Sequence, residues 1–109
     1  MNVTEKRKSV RIPVNFPAIF SYNAKNGNGE ILNLSVDGAY LCATESLDAG
    51  KKIKLSFDLP AHELHLNAQV IWRESLQDRK TFGMGLFFKD ASALQHAAIE
   101  LFIRNLLKI

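Results

Sequence analysis

Two clusters of polar side chains in this chain have the spacing to act together. Asn33, Ser35 and Asp37 recur at every second position. In an extended strand, positions two apart project to one face. The stretch therefore predicts an amide, a hydroxyl and a carboxylate in a row, with Asp37-Gly38 supplying the turn. The second cluster is basic: Lys6, Arg7, Lys8 and Arg11 fall within six positions, offset only by Glu5. Arg7 and Arg11 stand four apart. Arginine grips phosphate oxygens, or the acceptor edge of a guanine, through two hydrogen bonds at once. Together the clusters offer recognition of an anionic, hydrogen-bonding ligand.

Enzymatic clusters are weaker. No Cys-His or Ser-His-Asp arrangement is suggested. Cys42 falls in an expected strand, where a buried structural thiol is the default. His62-Glu63-Leu64-His65 departs from the zinc-binding H-E-x-x-H pattern. Residues three apart on a strand face opposite ways, so no metal site is expected.

The elements that must hold these groups are mostly strands. Val14, Phe16, Ala18, Phe20 and Tyr22 alternate with their neighbours at period two, and Pro17 places that strand at an edge early on. Asn26-Gly27 and Asn28-Gly29 predict a hairpin turn. Further strands are expected near 30–34, 39–44, 52–59, 64–73 and 82–88, with a polar turn at 77–80. Trp72-Arg73 could stack near a ligand, but Trp72 lies on the apolar alternation and is expected in the core. Gly83 and Gly85 leave room on the last strand for a backbone, a ligand or a bend. Ser92 to Gln95 reads as a capping box opening a helix over about 91–108. His96, Glu100, Arg104 and Lys108 form its polar stripe. Its apolar sector is wide enough to plug a barrel end and to meet a second subunit or another protein. The expected fold is all-β with a terminal helix: a small six-stranded antiparallel barrel, which closes off the edges of many short strands.

A chain of 109 residues, 47% hydrophobic and 23% charged, makes one globular domain. Its net charge of +3 favours an anionic partner without demanding one. A single cysteine fits a reduced, cytoplasmic setting. Neither a signal peptide nor a membrane-length apolar run is evident. The sequence divides into a mobile basic tail, 1–12, and a domain over 13–109. Nucleic-acid binding is disfavoured, because no strand shows the exposed aromatics that base stacking needs.

Arg7-Lys-Ser-Val-Arg11 followed by Asn33-Leu-Ser-Val-Asp-Gly38 fits R-x-x-x-R and then [D/N]-x-S-x-x-G. The pair resembles the signature of PilZ domains, bacterial receptors for cyclic di-GMP. Phe82-Gly-Met-Gly-Leu-Phe87 is similar to that family's closing strand. The resemblance implies that Arg7 and Arg11 grip guanine and phosphate, Asn33 reads the guanine edge and Ser35 bonds phosphate or base. Gly38 permits the turn, and Lys6 adds charge, enough to suggest two stacked ligand molecules. It further implies a non-enzymatic receptor whose tail folds over the barrel when ligand binds, with output through a partner protein or a homodimer formed by the helix. The alternative is an adaptor of the same fold that works without the nucleotide.

Overall fold

The computed structural model describes residues 10–108. Lys6 and Arg7 lie outside the described residues. Six antiparallel strands precede one helix: β1 (Ile12–Tyr22), β2 (Lys25–Leu34), β3 (Gly38–Ala43), β4 (Lys52–Leu59), β5 (His62–Ser75), β6 (Phe82–Lys89) and α1 (Ala93–Leu107). The strands close into a barrel in the order β1-β2-β3-β6-β5-β4, with β4 returning to pair with β1. No strand is left with an open edge there, so Pro17 sits within a closed ladder opposite Glu30.

Period-two alternation fills the interior. Ile12, Leu34, Ala39, Leu86 and Val70 are register partners in turn around five strands, and all are buried. Ile12 is therefore part of the barrel and not of the tail; the body begins one residue earlier than the proline suggests. Arg11 is its immediate neighbour.

One turn assignment shifts, and the polar turn expected at 77–80 stands. The β1–β2 hairpin turns at Asn23-Ala24, both at positive φ (51° and 66°), and not at the Asn-Gly pairs. Residues 26–29 continue β2, with Gly27 opposite Phe20 and beneath its ring. The β5–β6 turn is held by Asp78, whose carboxylate accepts from the Lys80 and Thr81 backbone N–H groups and the Thr81 hydroxyl at 2.8–2.9 Å. Those donors stabilise the ionised form and hold the carboxyl below its ordinary range.

The helix starts as its sequence requires. Ser92 Oγ accepts from the Gln95 N–H while Gln95 Oε1 accepts from the Ser92 N–H. Gln95 Nε2 also donates to the His65 carbonyl at 2.7 Å, which fastens the helix to β5. Ala98, Ile99 and Ile103 are buried, and Phe102 meets Phe16 at 5.6 Å between ring centroids. Val10, Val36 and Asp37 line one groove beside α1, and the β4–β5 turn lines another. The helix thus caps the barrel end that carries the Ser35–Gly38 turn. Leu94, Leu101, Leu106 and Leu107 stay exposed on its outer side.

Candidate functional site

The Asn33–Gly38 stretch does not present three polar groups in a row. A one-residue bulge interrupts the β2–β3 register: Ile31 pairs with Leu41, and Asn33 pairs with Tyr40. Leu32 is the extra residue. Strict alternation from Ile31 would turn Asn33 inward and Leu34 outward. The bulge instead buries both Ile31 and Leu34 and leaves Asn33 half-exposed on the outer face. A polar amide thereby reaches solvent without exposing a leucine.

Ser35 goes the other way. It is only 1% exposed. Its Oγ accepts from the N–H groups of Asp37 (3.2 Å) and Gly38 (3.1 Å) and donates to the Gly38 carbonyl at 3.3 Å. The Ser35 N–H donates to the same carbonyl at 2.9 Å. The hydroxyl is thus fully engaged in building the turn, a side-chain-to-backbone pattern that suits serine. The direct bond to phosphate or base implied for Ser35 would require that turn to open. Gly38 is buried against β6, where a Cβ would strike the Leu86 carbonyl oxygen. Asp37 is exposed, and its carbonyl accepts from the Phe88 N–H at 2.8 Å.

Strand pairing brings one member of each sequence cluster together, Arg11 and Asn33. Pro13 pairs with Asn33 across β1 and β2. Just before β1, Arg11 Nη1 donates to Asn33 Oδ1 at 3.4 Å, linking residues 22 apart in sequence. A guanidinium carries five N–H donors, so this long contact leaves most of them for another acceptor. The structure thus juxtaposes Arg11 and Asn33, and Ser35 and Gly38 build the turn that follows Asn33 in sequence. Lys6 and Arg7 lie outside the described residues.

The row that contains Asn33 continues around the barrel. Asn33 pairs with Tyr40, Tyr40 with Gly85, and Gly85 with Trp72. Besides a shift in β1 between Pro13 and Phe16, a further bulge between Val70 and Trp72 inserts Ile71 and turns Trp72 outward. Trp72 is 46% exposed and is not a core residue. Its ring lies 5.7 Å from that of Tyr40. Gly85 permits this, because a Cβ there would strike the Trp72 indole; Gly83 similarly clears the Tyr40 phenol. Tyr40 Oη donates to Glu74 Oε2 at 2.7 Å. Burial, that hydrogen bond and the nearby carboxylate push the phenol up to about 12, so it remains a neutral donor at physiological pH. Half-buried Tyr40 and exposed Trp72 form an aromatic shelf in the same row as Asn33, contrary to the sequence expectation that no strand shows exposed aromatics. The sequence signal was the broken alternation at Ile71-Trp72, where two large apolar residues adjoin.

The remaining candidates are quieter. Burial, then the charges of Glu30 and Asp78, push the Cys42 thiol up, away from nucleophilic reactivity. His65 Nδ1 shares a hydrogen bond with Ser56 at 2.9 Å, and its Nε2 lies 3.5 Å from Glu63. Among the described residues, no group of three or more His, Cys, Asp or Glu side chains could hold a metal ion. No described helix is long and apolar enough to cross a membrane.

A cation and an amide beside an aromatic shelf can bind a flat, anionic heterocycle. The arginine meets acceptors or phosphate, the amide reads an edge, and the rings stack on the flat face.

A family model described as PilZ domain matches residues 5–105. No curated protein matches the sequence. Among solved structures, the chain is similar to the Bacillus subtilis inhibitor of motility MotI/DgrA, with TM-score 0.78 and 19% identity over 93% of this chain. It spans about half, 51%, of that protein. The PilZ domain of Escherichia coli YcgR with c-di-GMP gives TM-score 0.71 at 15% identity, covering 93% of this chain and 91% of that one. The K. pneumonia MrkH–c-di-GMP complex gives 0.76 at 16% identity, covering 93% and 52%. At these identities the likeness to solved structures speaks for the fold.

Proposed function

Because the chain belongs to the PilZ domain family, we propose that it is a cytoplasmic, non-enzymatic receptor for cyclic di-GMP. One observation carries this reading: Arg11 and Asn33, from the two halves of the motif, lie against each other at 3.4 Å on an open face. The c-di-GMP complexes of the structurally similar YcgR and MrkH support it.

Cyclic di-GMP is a dianion with two guanines. Arg11 and Arg7 meet guanine O6 and N7 or the phosphates, and Lys6 adds charge. The Asn33 amide accepts from guanine N1–H or N2–H₂. Ser35 and Gly38 act by fixing the turn that presents Asn33. Trp72 and Tyr40 supply a stacking surface for a purine. The tail, through residue 11, closes over the ligand, and two stacked ligand molecules fill the space between tail and shelf. Because α1 caps the barrel end next to Arg11, tail closure changes the surface beside the helix. The exposed Leu94, Leu101, Leu106 and Leu107 are where a protein partner, or a second copy, reads that change.

Isothermal titration with cyclic di-GMP, with GTP and a short RNA as controls, tests the reading. Binding of the cyclic dinucleotide alone, at two per chain, is expected. No heat and no rise in melting temperature at saturating ligand would leave the nucleotide-independent adaptor, whose docking surface is the same leucine face. Hydrogen exchange over the tail tests the closure: protection is expected only with ligand bound.

A further inference from the structure

A second positively charged site lies at the far end of β1. Arg11 precedes the first residue of that strand, and Tyr22 ends it. Eleven extended residues separate the two by about 35 Å along the strand. There the β1–β2 turn, the start of β4 and the end of β6 enclose a cleft of about 730 Å³. Its cations are Lys51, Lys52, Lys54 and Lys89.

Three of these lysines are set by strand register, and Lys51 directly precedes β4. Lys54 pairs with Ser21 on one side and Asn67 on the other, and Asn67 pairs with Lys89. Lys52 is two positions from Lys54 on the same outward face, opposite Gln69. Adjacent strands are about 4.8 Å apart, so Lys54 and Lys89 stand roughly 10 Å apart at their backbones, with Asn67 between them. Lys51 Nζ sits 5.6 Å from the Tyr22 ring centroid, which holds it at the wall. Among the described residues, none of the four ammonium groups is within ion-pair distance of a carboxylate. Asp90 is the one acidic residue in the lining, so the cleft carries a surplus of three positive charges.

We propose that this lysine cleft binds a small molecule bearing a di- or triphosphate. The charge surplus matches such a group. Ammonium groups act as point charges that suit phosphate oxygens, and Asn67 and Ser21 add neutral donors. The volume falls within the range of small-ligand sites. The lining holds no arginine to read a guanine edge, which separates it from the Arg11–Asn33 site. The proposal does not depend on the function assigned to that site, and both can be filled at once.

Titration of the whole chain with sodium tripolyphosphate tests it. One equivalent should bind, more weakly as salt is added. Lys52→Gln/Lys54→Gln should weaken binding by more than about tenfold, and Lys89→Gln alone by about threefold, since each removes a charge-assisted contact. Arg11→Ala should bind tripolyphosphate as the parent does. No heat at millimolar tripolyphosphate would overturn the proposal. So would its loss in Arg11→Ala, which would move the anion to the motif. Tighter, lysine-dependent binding of a short single-stranded oligonucleotide, or of phosphatidylglycerol vesicles, would also overturn it and reassign the cleft to a macromolecular or membrane surface.

Discussion

Asn33 and Ser35 are two residues apart in one short motif, yet they do opposite work. Asn33 is half-exposed and makes one long contact, to Arg11. Ser35 is buried, with its hydroxyl engaged by three bonds inside its own turn. Gly38 belongs with Ser35, because its missing side chain lets β3 lie against the Leu86 carbonyl. Under the proposed function the motif would divide into half reader and half scaffold. Damage to the scaffold should then lower stability first and affinity as a result. Damage to the reader should lower affinity alone.

The largest effect should come from Gly38→Ala. The obstructing atom is backbone, so β3 and β6 must part, and the cost should reach about 3 kcal/mol or prevent folding. Thermal denaturation measures it; an unchanged melting temperature would erase the division between Asn33 and the Ser35–Gly38 turn. Ser35→Ala orphans the buried Gly38 N–H and the partly buried Asp37 N–H and should cost about 2 kcal/mol, a fall of roughly 10 °C. Arg11→Ala should leave the melting temperature unchanged and weaken cyclic di-GMP by about 1.5–3 kcal/mol, tenfold or more in titration. Arg7→Ala is expected to match it. Trp72→Ala should cost about 1–3 kcal/mol of affinity if a base stacks there. Equal affinity in that variant would confine the reader to the Arg11–Asn33 side.

The smallest effect concerns pH. The Tyr40 phenol is raised to about 12 in the folded protein. Its contribution to stability is complete below the ordinary phenol value near 10 and is lost as pH rises toward 12. Ultraviolet titration of Tyr40→Phe against the parent should show one tyrosine ionising late. Glu74→Gln should bring that ionisation earlier, because the carboxylate that opposes it is gone.

Much of the fold was legible. The alternations at 14–22, 53–59 and 64–70 fixed which side chains face inward, and the Ser92–Gln95 box fixed the start of the helix. The resemblance carried by Arg7, Arg11, Asn33, Ser35 and Gly38 agrees with the PilZ family match. What the sequence concealed was parity. A bulge adds one residue to one strand and reverses every facing beyond it. Leu32 and Ile71 do this at the same level of the barrel, so Asn33 and Trp72 both come to the outside. Alternation alone buries Trp72 and strings Asn33, Ser35 and Asp37 along one face. The Asn-Gly pairs misled for a related reason: Gly27 answers to the Phe20 ring across the ladder, while Asn23 and Ala24 take the positive φ values that turn the chain. Cross-strand demands of this kind have no local signature.

Trp72 is the chain's single tryptophan, and it stands in the aromatic shelf and not in the interior. Near-ultraviolet excitation selective for indole therefore interrogates this one surface. A purine laid on it should quench the emission and shift it to shorter wavelength as water leaves the ring, while a tripolyphosphate at the lysine cleft should leave the spectrum unaltered. The barrel thus carries its own optical label, placed by a one-residue bulge at the spot where recognition is expected.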